Sequence, residues 1–233
     1  MRCWLFQIDR LIRAVAAMAL LAQLCISTPA AEGTSFADMD QAIEQAITQN
    51  KLPGGVLWWE HKMSSYHKAY GHRAFVPETE AMTEDTIFDA ASLTKVVATT
   101  PAIILLWQRG QVTLDEHVQH YIPHFHGDGK EQITVRQLMT HVSGLLPDLS
   151  LTPKWSGYNT AIDLACAEKL QSKPGTVFRY SDINFFLLGE IVQRASGRKL
   201  EDFVLEEIFQ PLGMRDTTYL PAAGVHSRIA PTE

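Results

Sequence analysis

Ser92-Leu93-Thr94-Lys95 places a hydroxyl three positions before an amine, at the head of a long apolar segment. On a helix, residues i and i+3 share a face, so the two side chains meet. A serine hydroxyl is a weak nucleophile until a base takes its proton, and a desolvated lysine can be that base. A helix start also presents free backbone N–H groups and the positive end of the dipole, which favour negative charge developing on an acyl oxygen. The same spacing arises by chance on surface helices, where the serine caps and the lysine is solvated. Here Lys95 runs into Val96-Val97-Ala98, where a charge is hard to place, and that context favours chemistry. Tyr180-Ser181-Asp182, preceded by Pro174-Gly175 and followed by Asn184, supplies a phenol. Near a serine–lysine pair a phenol can relay protons between nucleophile and leaving group. Taken alone, the segment reads rather as a half-buried aromatic at a helix start, capped by Ser181 or Asp182.

The elements that must position these groups are readable from periodicity. Phe36, Met39, Ile43 and Ile47 form one stripe of a helix over 36–48. After Pro53-Gly54-Gly55, the run 56–59 and the segment 66–74 are strand candidates around a polar turn at Met63-Ser64-Ser65, which predicts a hairpin. Residues 76–87 read as loop. The apolar segment 91–108 is predicted helical up to Gly110, with a kink at Pro101, which lacks an N–H and clashes with the preceding turn. Further helices are predicted over 135–141, 159–170, 184–195 and 200–208, with Pro and Gly between them. Two strands followed by a mostly helical stretch predict an α/β protein with a helical lobe.

The 233 residues are 46% hydrophobic and 20% charged, with net charge −6, a composition that excludes a disordered or disulfide-stapled chain. A sequence pI near 5.8 offers no global basic field, so nucleic acid is not an expected partner. Arg2, Arg10 and Arg13 precede the apolar run 14–26, and Ser27, Thr28, Pro29, Ala30 and Ala31 follow. That order predicts a secretory signal peptide over 1–31 and a secreted or periplasmic mature domain over 32–233. The apolar run is too short for a comfortable membrane span. Cleavage near Ala30 or Ala31 would remove Cys3 and Cys25 and leave only Cys166, whose apolar helical setting predicts a buried, inert thiol.

The two motifs, in this order and 88 positions apart, resemble the serine β-lactamase and penicillin-binding-protein family, especially its class C and carboxypeptidase-esterase branch. The stretches 87–95, 133–141, Ser143-Gly144-Leu145 and 209–214 look like the same family. The resemblance implies a β-lactamase/transpeptidase-like fold, an antiparallel sheet flanked by helices plus a helical lobe. It implies Ser92 as acyl-forming nucleophile, with Lys95 and Tyr180 handling protons, and leaves open which of the two is the base. It implies no cofactor and no metal, and a β-lactam, a D-alanyl cell-wall peptide or a small ester as substrate.

Two departures stand out. Class C enzymes usually carry Asn where this chain has Asp182, a substrate-binding position. An amide donates and accepts hydrogen bonds, whereas a carboxylate only accepts. A carboxylate would also favour the charged form of Lys95. Asp182 therefore disfavours recognition of a β-lactam amide side chain more than hydrolysis of esters or peptides. The family's third motif, Lys-Thr-Gly or His-x-Gly on a C-terminal strand, has no match among the 53 residues after Tyr180. The C-terminal strands of the fold are accordingly expected to be missing, and the hairpin to keep an unpaired edge. The rival reading is a catalytically inactive fragment or binding module.

Other groups invite weaker readings. His117, His120, His124 and His126 crowd one stretch, but the matching family segment has no metal role. His141, close to Ser143-Gly144, is expected to make a structural hydrogen bond rather than act in a triad. No G-x-S-x-G surrounds Ser143. Trp58, Trp59 and Trp107 lie in apolar runs and are expected in the core.

Overall fold

The computed structural model describes residues 36–232, which fall into two compact units, 36–86 and 87–232. The leader assigned to residues 1–31, with Cys3 and Cys25, lies outside the described residues.

In the first unit, α1 (Phe36–Thr48) covers the predicted residues. β1 (Gly54–His61) and β2 (Ser64–Ala74) pair antiparallel across a two-residue turn, as the hairpin pattern requires. A third strand, β3 (Glu80–Ala81), pairs with β2 within the stretch read as loop, giving the order β1-β2-β3. Two residues carry no period that a sequence could display. Period-2 alternation puts Tyr66, Lys68 and Tyr70 on one face of β2, and all three converge on Asp40 of α1. Tyr66 Oη donates to the carboxylate at 2.7 and 2.8 Å, Tyr70 Oη at 2.5 Å and Lys68 Nζ at 3.0 Å. Phe36 stacks on Tyr66 and meets Trp59 edge-on beside this polar clasp.

These donors, Tyr70 first, hold the Asp40 carboxyl down to about 2. A depressed carboxyl stabilises the docked helix above its ordinary value near ~4 and loses that contribution as pH falls through about 2. Acid titration followed by Trp59 fluorescence is expected to show this transition, and Asp40→Asn to lack it. The same acid transition in both proteins would remove Asp40 from the clasp.

Trp58 and Trp107 correct the expectation of burial, at 59% and 48% exposed. Trp58 alternates away from Trp59, stacks on His67 and donates its Nε1–H to Glu60 at 2.8 Å. Trp107 follows the buried Leu106 by one helical step and so turns outward.

The second unit is helical. Residues 91–108 form one continuous run with three hydrogen-bond registers: a 3₁₀ turn at Ala91–Leu93, a π turn at Lys95–Thr99, and α2 (Thr100–Gln108). At the place where a kink at Pro101 is expected, the run changes register through the π turn. Proline offers no N–H and crowds the carbonyl four residues back, and the backbone answers with an i→i+5 bond from Thr100 N–H to Lys95 O. Short α3 (Val118–Tyr121) and α4 (Val135–Met139) follow. Thr134 and Gln137 close a capping box at the head of α4. α5 (Tyr158–Ala167), α6 (Asp182–Ser196) and α7 (Leu200–Val204) complete the set. Predicted helix 200–208 splits into α7 and a second π turn, Leu205–Phe209, again six residues from its start to a proline, Pro211.

α6 is the centre of the unit. Ile183, Leu187, Leu188, Ile191 and Val192 are fully buried, and α2, α4, α5 and α7 pack around it. A helix apolar on most sides belongs in a core rather than on a surface. Cys166 is buried on α5, and burial pushes its thiol up to about 11, which fits an inert side chain. Lys130, 3% exposed, donates to the carbonyls of Cys166 and Glu168 at 2.5 and 3.0 Å. A cation at the C-terminal end of α5 satisfies carbonyls that the helix leaves open.

Candidate active site

Ser92, Lys95, Tyr180 and Asp182, the residues singled out in the sequence, come together in the second unit. Ser92 in the 3₁₀ turn and Lys95 at the head of the π turn lie three residues apart in one helical run, which sets the first contact. Residues three apart share a helix face, and Lys95 Nζ donates to Ser92 Oγ at 3.1 Å. Ala91, immediately before the serine, holds a left-handed backbone at φ 42°. Its N–H is fixed by Asp89 Oδ1 at 2.8 Å. A non-glycine residue there costs about 1 kcal/mol or more and is a mark of a constrained turn.

Tyr180 and Asp182 arrive with the head of α6. Ser181 is the N-cap: its Oγ accepts from Asn184 N–H at 3.4 Å and donates to Leu146 O at 2.6 Å. The capping role expected of this segment is present. Asn184 is fully buried, accepting from Ser143 Oγ at 2.6 Å and donating to Leu138 O at 3.1 Å. Next to Ser143, Gly144 lies at φ 87°, and a Cβ there would collide with the Ser172 carbonyl. Only glycine lets the two chain segments pass this closely.

Tyr180, 46% exposed, sets its ring centroid 4.8 Å from Lys95 Nζ. Asp182 Oδ1 sits 2.5 Å from the same ammonium. Burial works against a charge on Lys95, but the Asp182 carboxylate and the Tyr180 phenol outweigh it and hold Lys95 above the ordinary lysine value. Lys95 in turn pulls the Tyr180 phenol down, with a second contribution from Ser92. The two shifts therefore run in opposite directions. Lys95 is kept as a cation, and Tyr180 is made the easier group to deprotonate.

A cleft of about 470 Å³ opens beside the serine, with Thr99, Phe185 and Phe186 along its wall. Sequence reasoning missed these aromatic walls and the neighbour of Tyr180 on its other side. His141 stacks on Tyr180 with centroids 4.5 Å apart, and its Nδ1 accepts Ser181 N–H at 3.1 Å. The expected structural hydrogen bond is present; the ring contact had no sequence signal beyond the family-like surroundings of His141. His124 approaches Asp163 at 3.9 Å, and among the described residues no group of three or more His, Cys, Asp or Glu could hold a metal ion. No helix among the described residues is long and apolar enough to cross a membrane.

Known proteins resemble most of this chain. Esterase EstB of Burkholderia gladioli is 32% identical over 80% of this chain and 52% of its own length. Protein flp of Staphylococcus aureus is 29% identical over 78% of this chain and 38% of its own length. A class C β-lactamase crystal structure superposes with a TM-score of 0.72 at 28% identity, covering 82% of this chain and 52% of that one. A mutant class C β-lactamase gives 0.74 at 26% identity, covering 87% and 56%. The fold is thus β-lactamase/transpeptidase-like, and the chain spans about half the length of these relatives or less. The family model described as Beta-lactamase matches residues 39–233, and the chain belongs to the beta-lactamase family.

Proposed function

We propose that this chain carries the acylating site of an exported serine hydrolase that cleaves a small ester or a D-alanyl peptide. The observation that carries the reading is the Ser92–Lys95–Tyr180 cluster: Lys95 Nζ 3.1 Å from Ser92 Oγ and 4.8 Å from the centroid of the Tyr180 ring. Ser92 Oγ attacks the acyl carbonyl carbon and its proton passes to Tyr180 as phenolate. The carbonyl π electrons move onto oxygen, then return to expel the leaving group, which takes the proton back from Tyr180. Water repeats the sequence on the acyl-enzyme and restores the serine. Lys95, held as a cation by Asp182, lowers the cost of the phenolate. A carboxylate at 182 cannot donate to a β-lactam side-chain carbonyl, so a β-lactam ranks behind esters and peptides as substrate. The likeness to an esterase supports the same order. Export rests on the basic, apolar and small-residue order of residues 1–31.

The test is a fluorophosphonate probe applied to the folded full chain, with the adduct mapped by peptide mass spectrometry. One covalent adduct on the peptide carrying Ser92 is the expected result. A folded chain that takes no label, or takes it elsewhere, overturns the hydrolase reading in favour of a silent binding module.

A further inference from the structure

We infer that His141, in its neutral form, is the residue that positions Tyr180 for the acylation step; the inference rests on the hydrolase reading above. His141 holds the tyrosine segment in three ways. Its backbone carbonyl accepts Arg179 N–H at 2.8 Å, on one side of Tyr180. Its Nδ1 accepts Ser181 N–H at 3.1 Å, on the other side. Its ring stacks on the Tyr180 ring at 4.5 Å, with planes 30° apart. One residue therefore brackets the phenol along the chain and supports it from below.

The backbone is shaped for this grip. His141 lies just past α4 in a left-handed conformation, φ 58°, which turns it back toward the head of α6. Phe185, tilted at 5.3 Å, and Phe178, edge-on at 6.0 Å, close around the imidazole. Because Ser181 is also the N-cap of α6, the same bond helps fix Asp182, the partner of Lys95.

An imidazole nitrogen that accepts a hydrogen bond cannot carry a proton, so His141 must hold its hydrogen on Nε2. Protonation at Nδ1 would set an N–H against the Ser181 N–H and place a second cation near Lys95. The charged groups facing the ring are Lys95 and Asp182. Burial first, and then Lys95, push His141 below the ordinary histidine value, with Asp182 opposing. The grip is therefore kept at neutral pH and released in acid. Acylation then loses its positioned phenol without loss of the nucleophile.

Two variants separate the ring from the acceptor. His141→Phe keeps a stacking ring and removes the acceptor. His141→Asn keeps an acceptor near the place of Nδ1, tolerates the left-handed backbone and cannot titrate. Fluorophosphonate labelling of the full chain is measured against probe concentration and pH. His141→Phe is expected to lower the limiting labelling rate on the order of 100-fold, as a misplaced catalytic group does, with little change in half-saturating concentration. His141→Asn is expected to recover most of that rate and to lose the acid-side fall that tracks the imidazole. Wild-type rates in His141→Phe, or an unchanged acid limb in His141→Asn, overturn the inference while leaving the hydrolase reading in place. If His141→Phe does not fold, the pH profile of His141→Asn decides. A wild-type chain that takes no label at Ser92 overturns the hydrolase reading, and this inference with it.

Discussion

Ser92→Ala is expected to abolish covalent labelling by a fluorophosphonate or a fluorescent penicillin, a fall of at least about 10³-fold, because no other group can form the acyl bond. Stability should hardly move. Ser92 is exposed, and Lys95 keeps both Asp182 and Tyr180 as partners when the hydroxyl is removed. Surface changes of this kind stay within roughly 0.5 kcal/mol. Thermal unfolding beside the labelling assay therefore separates lost chemistry from lost fold. Residual labelling at the wild-type rate would move the nucleophile elsewhere in the chain.

Tyr180→Phe is expected to slow acylation by about 10²–10⁴-fold, the range for removing a positioned proton-transfer group. The ring, its stacking on His141 and its contact with Lys95 all survive this change, so the loss reports the hydroxyl alone. The pH profile supplies the sign. Labelling needs the phenolate, so its rate should rise with pH through the Tyr180 value, which Lys95 and Ser92 hold below that of an ordinary phenol. Asp182 raises the phenol's value against them. Asp182→Asn removes that anion, and the rising limb should move to lower pH while Lys95 remains charged. A Tyr180→Phe chain with wild-type rate would return the base role to Lys95. An Asp182→Asn chain whose hydrolysis of every acyl substrate and whose pH profile are unchanged would remove Asp182 from the site.

Some of this is legible in the residues and some is not. The stripe Phe36, Met39, Ile43, Ile47 marks α1 because a 3.6-residue period can be seen without knowing the partner. The Ser92–Lys95 contact follows from local geometry alone. Tyr180 is different. Its approach to Lys95 depends on how α6 seats against residues 91–108, a tertiary fact that spacing does not encode, and the family resemblance rather than periodicity points to it. The division of 91–108 into three registers is only half visible. Pro101 announces a disturbance, but whether the chain bends or shifts to i→i+5 bonding is decided by what packs on either side. The second π turn, before Pro211, reads straight through as helix in the sequence. Trp58 and Trp107 show the opposite failure, since an apolar neighbourhood in sequence says nothing about which face of an element is covered.

The distance along the chain between Ser92 and Tyr180 bears on when the protein becomes reactive. In an extended chain the serine is an ordinary alcohol, because the phenol and the carboxylate that sets the charge of Lys95 are 88 and 90 positions away in sequence. On the proposed mechanism, reactivity is expected only once α6 closes onto the 91–108 segment. On that mechanism, an unfolded chain is expected to stay unreactive toward acyl probes. The rate at which a probe marks Ser92 in graded denaturant becomes a direct gauge of how much of the helical unit is assembled at each moment.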